Sequence, residues 1–577
     1  MITVYKTHSA FELIFDYNPK VIADIKGIPG RYWYGSKKCW CIPVSQEHSL
    51  EWLLKKYNKV NATESLPEQV GEIPPMPELT IDIPLKYTPF PYQSKGIAYT
   101  LIHKRVIIGD QPGLGKTLQA IGTVIGAKCK CILVICPSSL KLNWQREFEK
   151  VAGIKAATTQ TAGGLWNSGG SSLILSDSIK TTWPTFHRTA GVRVFITNYE
   201  SLKKYFVAKI KKVIDPETGK PKPLRLDHIE FHQTIQLFDA VILDELHKCK
   251  DGSTQQAKFC MGVTKGKDFI LGLTGTPVVN KPKDLISQLH ILGRLGDFGG
   301  YKFFMDRYCG GNGTGATNLA ELGYKLQTTC FFQRQKKEVL TELPDKMRQI
   351  IISDIATRKE YNDAISDLSN YLQEYRQKSD EEVARSMRGE IMVKIGICKN
   401  ISARGKINDV IDHIDEVIGS GEKIGVFIHQ KEIAQALKNH YPHALTITGA
   451  DTQDQRQSAV DNFQNNPDCN LILLSIKAAG VGLTLTAASR CAFIELPWHS
   501  ADCDQCEDRF HRIGQKDSVQ CAYFLGKDTI DEDIYEIIEK KRAVANTITG
   551  SSDNIQKEII DRVMNSIFNK KNQPIEA

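Results

Sequence analysis

Apolar residues along the chain follow two rhythms. Short apolar runs at 106–109, 131–136, 192–197, 240–243 and 269–273 alternate with stretches in which apolar positions recur every three or four residues. Strand and helix patterns in strict alternation predict a parallel sheet covered by helices. A second series of runs at 424–428, 445–448, 470–474 and 491–495 predicts a second sheet of the same kind. Between the two series, residues 357–402 are polar with a helical period, and residues 529–577 read as charged helices. Ahead of both lies an aromatic block with Phe11, Phe15, Tyr17, Tyr32, Trp33, Tyr34, Trp40 and Trp52. Alternation across residues 31–43 predicts a hairpin that turns near Tyr34-Gly35-Ser36-Lys37. Pro67, Pro74, Pro75, Pro77, Pro84, Pro89 and Pro91 follow, a spacing that sustains neither a helix nor a central strand, so an extended linker is expected.

Composition narrows this only a little. A chain of 577 residues exceeds what one core can hold. The net charge of +8 permits a basic groove for nucleic acid without placing it. The lysine-rich stretch 203–225 reads first as a solvated surface hairpin. Of 15 cysteines, only Cys503 and Cys506 form a CxxC pair, and no second pair stands at zinc-ribbon distance, so reduced thiols are expected. No signal peptide and no membrane-length apolar run is present, which predicts a soluble intracellular protein.

The chemistry begins where the first run ends. Asp110-Gln-Pro-Gly113-Leu114-Gly115-Lys116-Thr117 joins a strand to a helix. Glycines at 113 and 115 let backbone N–H groups turn toward phosphate oxygens, and the helix N-terminus adds positive potential. Lys116 is placed to meet the β and γ phosphates, and Thr117 to offer a hydroxyl to Mg²⁺. The strict phosphate-loop pattern wants glycine at position 110, where this chain has aspartate. Downstream, the run before Asp244 ends in Asp244-Glu245-Leu246-His247. Asp244 suits Mg²⁺ held through water, and Glu245 suits the base that deprotonates attacking water. Thr274 and Thr276, in Leu273-Thr274-Gly275-Thr276-Pro277, end another strand pattern, which taken alone reads first as a strand-terminating turn and otherwise as hydroxyls that link an ATP site to a DNA path. Late in the chain, Gln505, Arg509 and Arg512 fall on one face if 505–512 is helical. Two guanidinium groups suit the charge that develops on a transferring phosphate.

Taken in order, these segments resemble the Swi/Snf-type ATPases of helicase superfamily 2 across roughly residues 88–545. The likeness rests on PYQ at 91–93, GLGKT at 113–117, CPSSLKLNW at 136–144, NYESL at 198–202, DELH at 244–247, LTGTP at 273–277, SIKAAGVGLTLTAA at 475–488 and DRFHRIGQ at 508–515. DRYC at 306–309, EVLTELPDK at 338–346 and ELPW at 495–498 are similar to the annealing-helicase branch. Residues 1–60, with Phe15, Tyr17, Ile22, Lys26, Arg31, Tyr32, Lys38, Trp40 and Pro43, resemble a HARP domain.

The resemblance implies an α/β fold of two RecA-like lobes, parallel sheets with helices on both faces, a helical insertion, and a small N-terminal α+β domain. The implied divisions are 1–60, a linker at 61–88, lobe one at 89–300, a connecting and helical region at 301–420, lobe two at 421–528 and C-terminal helices at 529–577. ATP would lie between the lobes with Tyr92 and Gln93 near adenine. The implied partner is double-stranded or forked DNA, touched by Ser138, Lys141, Asn143, Trp144, Tyr199, Ser475 and Trp498, with Arg31 and Lys38 added by the N-terminal block. A monomeric motor is expected, in bacterial or phage-infected cytoplasm or in a eukaryotic nucleus. Rivals are a strand-separating helicase, a polymerase-displacing translocase, and a non-catalytic DNA-binding scaffold. Intact Lys116, Asp244, Glu245, Arg509 and Arg512 argue against the scaffold.

This reading makes two substitutions diverge. Lys116→Ala should abolish ATP turnover, whereas Glu245→Gln should bind ATP and fail to hydrolyse it, because an amide takes no proton from water. Turnover by Glu245→Gln at the unmutated rate would remove Glu245 as the base.

Overall fold

The computed structural model describes residues 3–6, 10–15, 18–34, 39–56, 61–63, 72–157, 171–215, 220–275, 282–311, 313, 315–376, 381–479, 483–498, 500–545 and 559–567. The chain divides into two compact units. The first takes residues 1–109, 119–135 and 151–333, and the second 110–118, 136–150 and 334–577.

The first unit is built on an eight-stranded sheet ordered Phe331–Phe332, Arg105–Ile108, Phe269–Leu273, Ala240–Asp244, Ile132–Cys136, Val192–Asn198, Ser171–Ile174, Lys155–Ala156. Its central strands pair in parallel and are buried along almost their whole length, as unbroken apolar runs require when helices cover both faces. Residues 301–333, expected in the connecting region, belong here. The helices Gly300–Tyr308 and Leu319–Thr329 lead to Phe331–Phe332, which adds in parallel to Arg105–Ile108. The stretch 203–225 includes the strand Val207–Ile210, paired antiparallel with Ile229–Phe231, and an antiparallel bridge from Ile214 to Pro221.

The proline-rich linker is more than a spacer. Its residues 81–85 pack on the helix Lys116–Gly126 where that helix lacks side chains. A β-carbon at Gly122 would stand 2.6 Å from Ile97 Cδ1 and 3.5 Å from Leu85, and one at Gly126 would stand 2.8 Å from Ile83 Cδ1.

The N-terminal block forms a five-stranded sheet ordered Tyr32–Tyr34, Cys39–Pro43, Ala10–Ile14, Thr3–Lys6, Asn61–Thr63, with the helices Pro19–Lys26 and Glu47–Lys56. The predicted hairpin is present as Tyr32–Tyr34 paired with Cys39–Pro43, and its turn lies outside the described residues. Strand alternation sends Tyr32 and Tyr34 to one face, where their rings meet Phe303 at 6.0 and 5.7 Å. Arg307 lies over Phe303 at 5.7 Å and is itself held by Glu321. Trp33 takes the other face, 51% exposed, edge-on to Trp40 at 5.5 Å.

The second unit carries a six-stranded, all-parallel sheet ordered Lys346–Ser353, Val519–Gly526, Arg490–Phe493, Ile424–Ile428, Leu471–Ser475, Leu445–Ile447. The polar helical stretch appears as Arg358–Arg376 and Glu381–Gly405. Beneath it lies a fully buried ion pair. Lys406 Nζ reaches Asp531 Oδ2 at 2.5 Å and the Phe524 carbonyl at 2.8 Å, while Ser402 Oγ and Gly526 N also donate to Asp531. Both side chains are almost wholly enclosed, at 1% and 3% exposure.

Removing one partner would leave a buried, uncompensated charge. Asp531→Ala should therefore cost roughly 3–5 kcal/mol, read as a lower urea midpoint. Lys406→Met with Asp531→Leu should recover most of that loss; a midpoint unmoved by Asp531→Ala would show that the pair contributes nothing.

Candidate ATP site and its relatives

The phosphate loop starts where the strand Arg105–Ile108 ends, and its turns are left-handed: φ is +90° at Gly113 and +76° at Gly115. A residue with a β-carbon resists such angles. Leu114 is fully buried and ties the turn through its N–H to Gln111 O at 3.3 Å. Lys116 and Thr117 open the helix Lys116–Gly126, and Lys116 Nζ donates to Asp110 O at 2.6 Å.

Asp110, expected among the nucleotide contacts, has a structural task. Its side chain is fully buried, and Arg334 holds it through its backbone N–H at 3.1 Å and its Nε at 3.0 Å, with a second guanidinium nitrogen on the other oxygen. The carboxylate anchors the loop to the chain at 334, and a buried anion there repays its desolvation through that fork-like pairing. That pairing gives the aspartate side chain a structural use at the position where the strict motif has glycine.

The arginine segment departs from the expected helix face. The helix Ser500–Glu507 holds Gln505 but ends before Arg509 and Arg512, which sit in a turn closed by Arg509 N→Cys506 O and Phe510 N→Glu507 O, both 3.0 Å. The place where the helix ends is densely charged. Lys346, Arg348 and Arg542 converge on Glu507, and Lys336 and Lys346 on Asp508. Against the upward push of burial, Lys346 and the two arginines hold the Glu507 carboxyl far below the usual range. Glu507 and Asp508 are thus clamped in place, and the backbone turns there.

Arg512 nonetheless reaches the loop. A β-carbon at Gly113 would stand 3.1 Å from Arg512 Cβ, and its guanidinium donates to Leu483 O at 2.8 Å and Thr484 Oγ1 at 3.0 Å. Burial, then the neighbouring Arg509, push the Arg512 guanidinium down to about 10. A desolvated cation beside a phosphate cradle acts more strongly than one in water. Arg509 is nearly buried, and its carbonyl accepts from Leu485 N at 2.9 Å.

In the first unit, Asp244 ends a central strand and its Oδ1 accepts from Glu245 N at 3.0 Å. Glu245 sits at φ 55°, ψ 50°, a left-handed conformation costly for a residue with a side chain and concentrated at functional sites. Its Oε2 lies 3.2 Å from His247 Nδ1, which also meets Thr274 Oγ1 at 3.0 Å. His247 thus joins the acidic pair to the threonine strand end, a link its place in the DELH motif foreshadows; Thr276 lies outside the described residues. Tyr92 and Gln93 are buried, and Gln93 Oε1 caps Phe90 N at 3.0 Å. Phe90, passed over in the sequence, stacks on Tyr92 at 5.9 Å and is 45% exposed.

The expected DNA contacts separate. Ser138 is exposed, Lys141, Asn143, Ser475 and Trp498 are half-buried, and Arg31 is exposed; Lys38 lies outside the described residues. Ser138 O accepts from Gln453 Nε2, and Lys399 Nζ lies 4.3 Å over the Trp498 ring. Trp144 and Tyr199 are buried, each 1% exposed; Trp144 rests against Phe148, and the Tyr199 hydroxyl donates to Asp244 O at 2.7 Å. Tyr199 supports the acidic pair.

The family profile "SNF2-related domain" matches residues 45–401. The chain belongs to the SNF2-related family. A second profile, "Helicase conserved C-terminal domain", matches residues 405–514, so this SNF2-related chain is a nucleotide-binding, helicase-type ATPase. It is 25% identical over 563 residues to the SWI/SNF-related matrix-associated actin-dependent regulator of chromatin subfamily A-like protein 1 homolog of Caenorhabditis elegans, covering 93% of this chain and 74% of the relative. It is 30% identical over 498 residues to the DNA annealing helicase and endonuclease ZRANB3 of Homo sapiens, covering 82% of this chain and 41% of the relative, so it spans less than half of that protein. A solved SWI2/SNF2 ATPase core from Sulfolobus solfataricus in complex with double-stranded DNA is 23% identical, covers 85% of this chain and 99% of its own, and has a TM-score of 0.37. Among the described residues no helix is long and apolar enough to cross a membrane.

Arg509→Ala and Arg512→Ala should each lower ATP turnover by on the order of a thousandfold while changing ATP affinity far less. Lys540, 66% exposed, is the control. A loss for Arg512→Ala no greater than for Lys540→Ala would exclude the arginine-finger role.

Proposed function

We propose that this SNF2-related ATPase is an ATP-driven translocase on double-stranded DNA that rewinds or remodels forked and branched DNA. The observation that carries the reading is the seating of Arg512 against Gly113 of the phosphate loop. An arginine delivered to a phosphate cradle from the far part of the sequence serves hydrolysis, and a passive scaffold has no use for it.

Each residue then has a part in hydrolysis. Backbone N–H groups at 113–116 and the Lys116 ammonium bind the phosphates, and Glu245 takes the proton of attacking water. Arg509 and Arg512 stabilise charge on the transferring group. The Thr117 hydroxyl and Asp244 carboxylate are hard oxygen donors of the kind Mg²⁺ takes, directly or through water. When bound, Mg²⁺ neutralises charge between the β and γ phosphates. Ser138, Lys141, Asn143, Ser475 and Trp498 supply a grip on the DNA backbone, which is sequence-independent and weakens with salt.

The names of the relatives support rewinding, and the N-terminal hairpin supports fork recognition. Tyr32 and Tyr34 mount the hairpin on Phe303, which leaves Trp33 and Arg31 outward. An exposed indole beside a guanidinium suits stacking on unpaired bases together with phosphate attraction. Arg31→Ala with Lys38→Ala should leave the block folded, since the exposed Arg31 charge adds little stability and Lys38 lies outside the described residues. The variant should lose stimulation of ATP hydrolysis by forked DNA, and bubble rewinding, while stimulation by plain duplex survives. If deleting residues 1–60 leaves fork preference and rewinding unchanged, recognition lies elsewhere.

A further inference from the structure

The residues after the edge strand Phe331–Phe332 have no chemical part in the reading above, yet they are tied into the phosphate loop. Arg334 holds Asp110, and its carbonyl accepts from Gln111 N at 3.1 Å. Two residues later, Lys336 N donates to Gln111 Oε1 at 2.8 Å. The side chain of Lys336 then crosses the loop: its Cε lies 3.3 Å from where a β-carbon at Gly113 would stand, beside Arg512 Cβ at 3.1 Å from the same point. Its ammonium ends on the arginine turn, 2.6 Å from Asp508 Oδ1 and 2.6 Å from His511 O. One buried lysine, 8% exposed, therefore grips both the loop and the residue immediately before Arg512.

We propose that Lys336 is a positioning residue for ATP hydrolysis, locking the turn 508–512 onto the phosphate loop so that Arg512 meets the transferring phosphate. The proposal rests on the ATPase reading and deepens it. The chemistry favours a lysine here. A carboxylate and a carbonyl must be met from a single point, and an ammonium offers three donors on a flexible stem. A β-carbon at Gly113 would crowd this stem, so the residue that shapes the cradle also leaves room for its clamp.

Burial pushes the Lys336 ammonium down to about 8, with Lys346 and Arg512 repelling it and Asp508 opposing the shift. The other groups at this place are Glu507, held ionised by Lys346, Arg348 and Arg542, and His511, whose Nε2 donates to Pro344 O at 2.7 Å and which burial keeps below its usual value. Lys336 is thus charged below about pH 8 and neutral above it. The ion pair to Asp508 weakens as pH rises through that value, and turnover should fall with it. An arginine at 336 stays charged throughout.

The test uses the full chain with duplex DNA and four proteins: unmutated, Lys336→Ala, Arg512→Ala and the double variant. Lys336→Ala should lower turnover about a hundredfold, the scale of loss expected when a reacting group is displaced by about an ångström. Binding of a fluorescent ATP analogue should persist, and in the Arg512→Ala background Lys336→Ala should change nothing more. Equal fold losses in both backgrounds would overturn the proposal, because Lys336 would then act without Arg512. Lys336→Arg, which keeps the charge, should lose the alkaline fall in turnover near pH 8 that the unmutated protein shows; an identical alkaline fall in both would also overturn it. Absence of ATP turnover in the unmutated protein would refute the ATPase reading itself, a result separate from either of these.

Discussion

Everything at the nucleotide end of this protein depends on a β-carbon that is not there. A phosphate cradle needs backbone N–H groups aimed inward, which forces the chain through left-handed angles at Gly113 and Gly115. At Gly113 the same vacancy admits Lys336 and Arg512 to within 3.3 and 3.1 Å of the place a methyl would fill. The conformational requirement and the steric one fall on a single residue. Serine or alanine at 113 would meet both objections at once, strain along the backbone and crowding by Arg512 and Lys336.

Charges buried around the loop set the second constraint. The carboxylates of Asp110, Asp508 and Glu507 are buried or nearly so, and are met by Arg334, by Lys336, and by Lys346, Arg348 and Arg542 respectively. Such pairs repay little beyond their desolvation, so their value lies in geometry: a charged partner can be satisfied in only one arrangement. The loop and the arginine turn are held by directional contacts where apolar packing would allow sliding.

Much of this was legible in the amino-acid order, for identifiable reasons. Central parallel strands are covered on both faces, so they appear as unbroken apolar runs, and 131–136, 240–243, 269–273 and 424–428 all stand out. The strand Lys346–Ser353 escaped notice because it is an edge strand whose residues are largely exposed or half-buried, with Lys346 and Arg348 drawn off to Glu507. Phe331–Phe332 is too short to show any period. Lys116, Asp244 and Glu245 could be named because phosphate and water chemistry dictates their type and spacing. Arg334 and Lys336 could not, since their partners stand well over a hundred positions away and a lone basic residue carries no such signature. The helix expected to carry Arg509 and Arg512 ends earlier, at Glu507: periodicity records which residues share a face, and it does not mark where a helix stops.

The N-terminal hairpin carries a consequence for how this protein can change. Its strand Tyr32–Tyr34 places mounting rings and an outward ring at alternate positions, so the two roles are separated by parity alone. Inserting or deleting one residue ahead of Tyr32 within the paired register would exchange them, turning Trp33 onto Phe303 and both tyrosines to water. Drift in length at this hairpin is therefore confined to steps of two or to the loop, while drift in side-chain identity is tolerated far more widely. A lineage could retune the exposed ring by single substitutions, yet could not lengthen the strand by one without unseating the module from its motor.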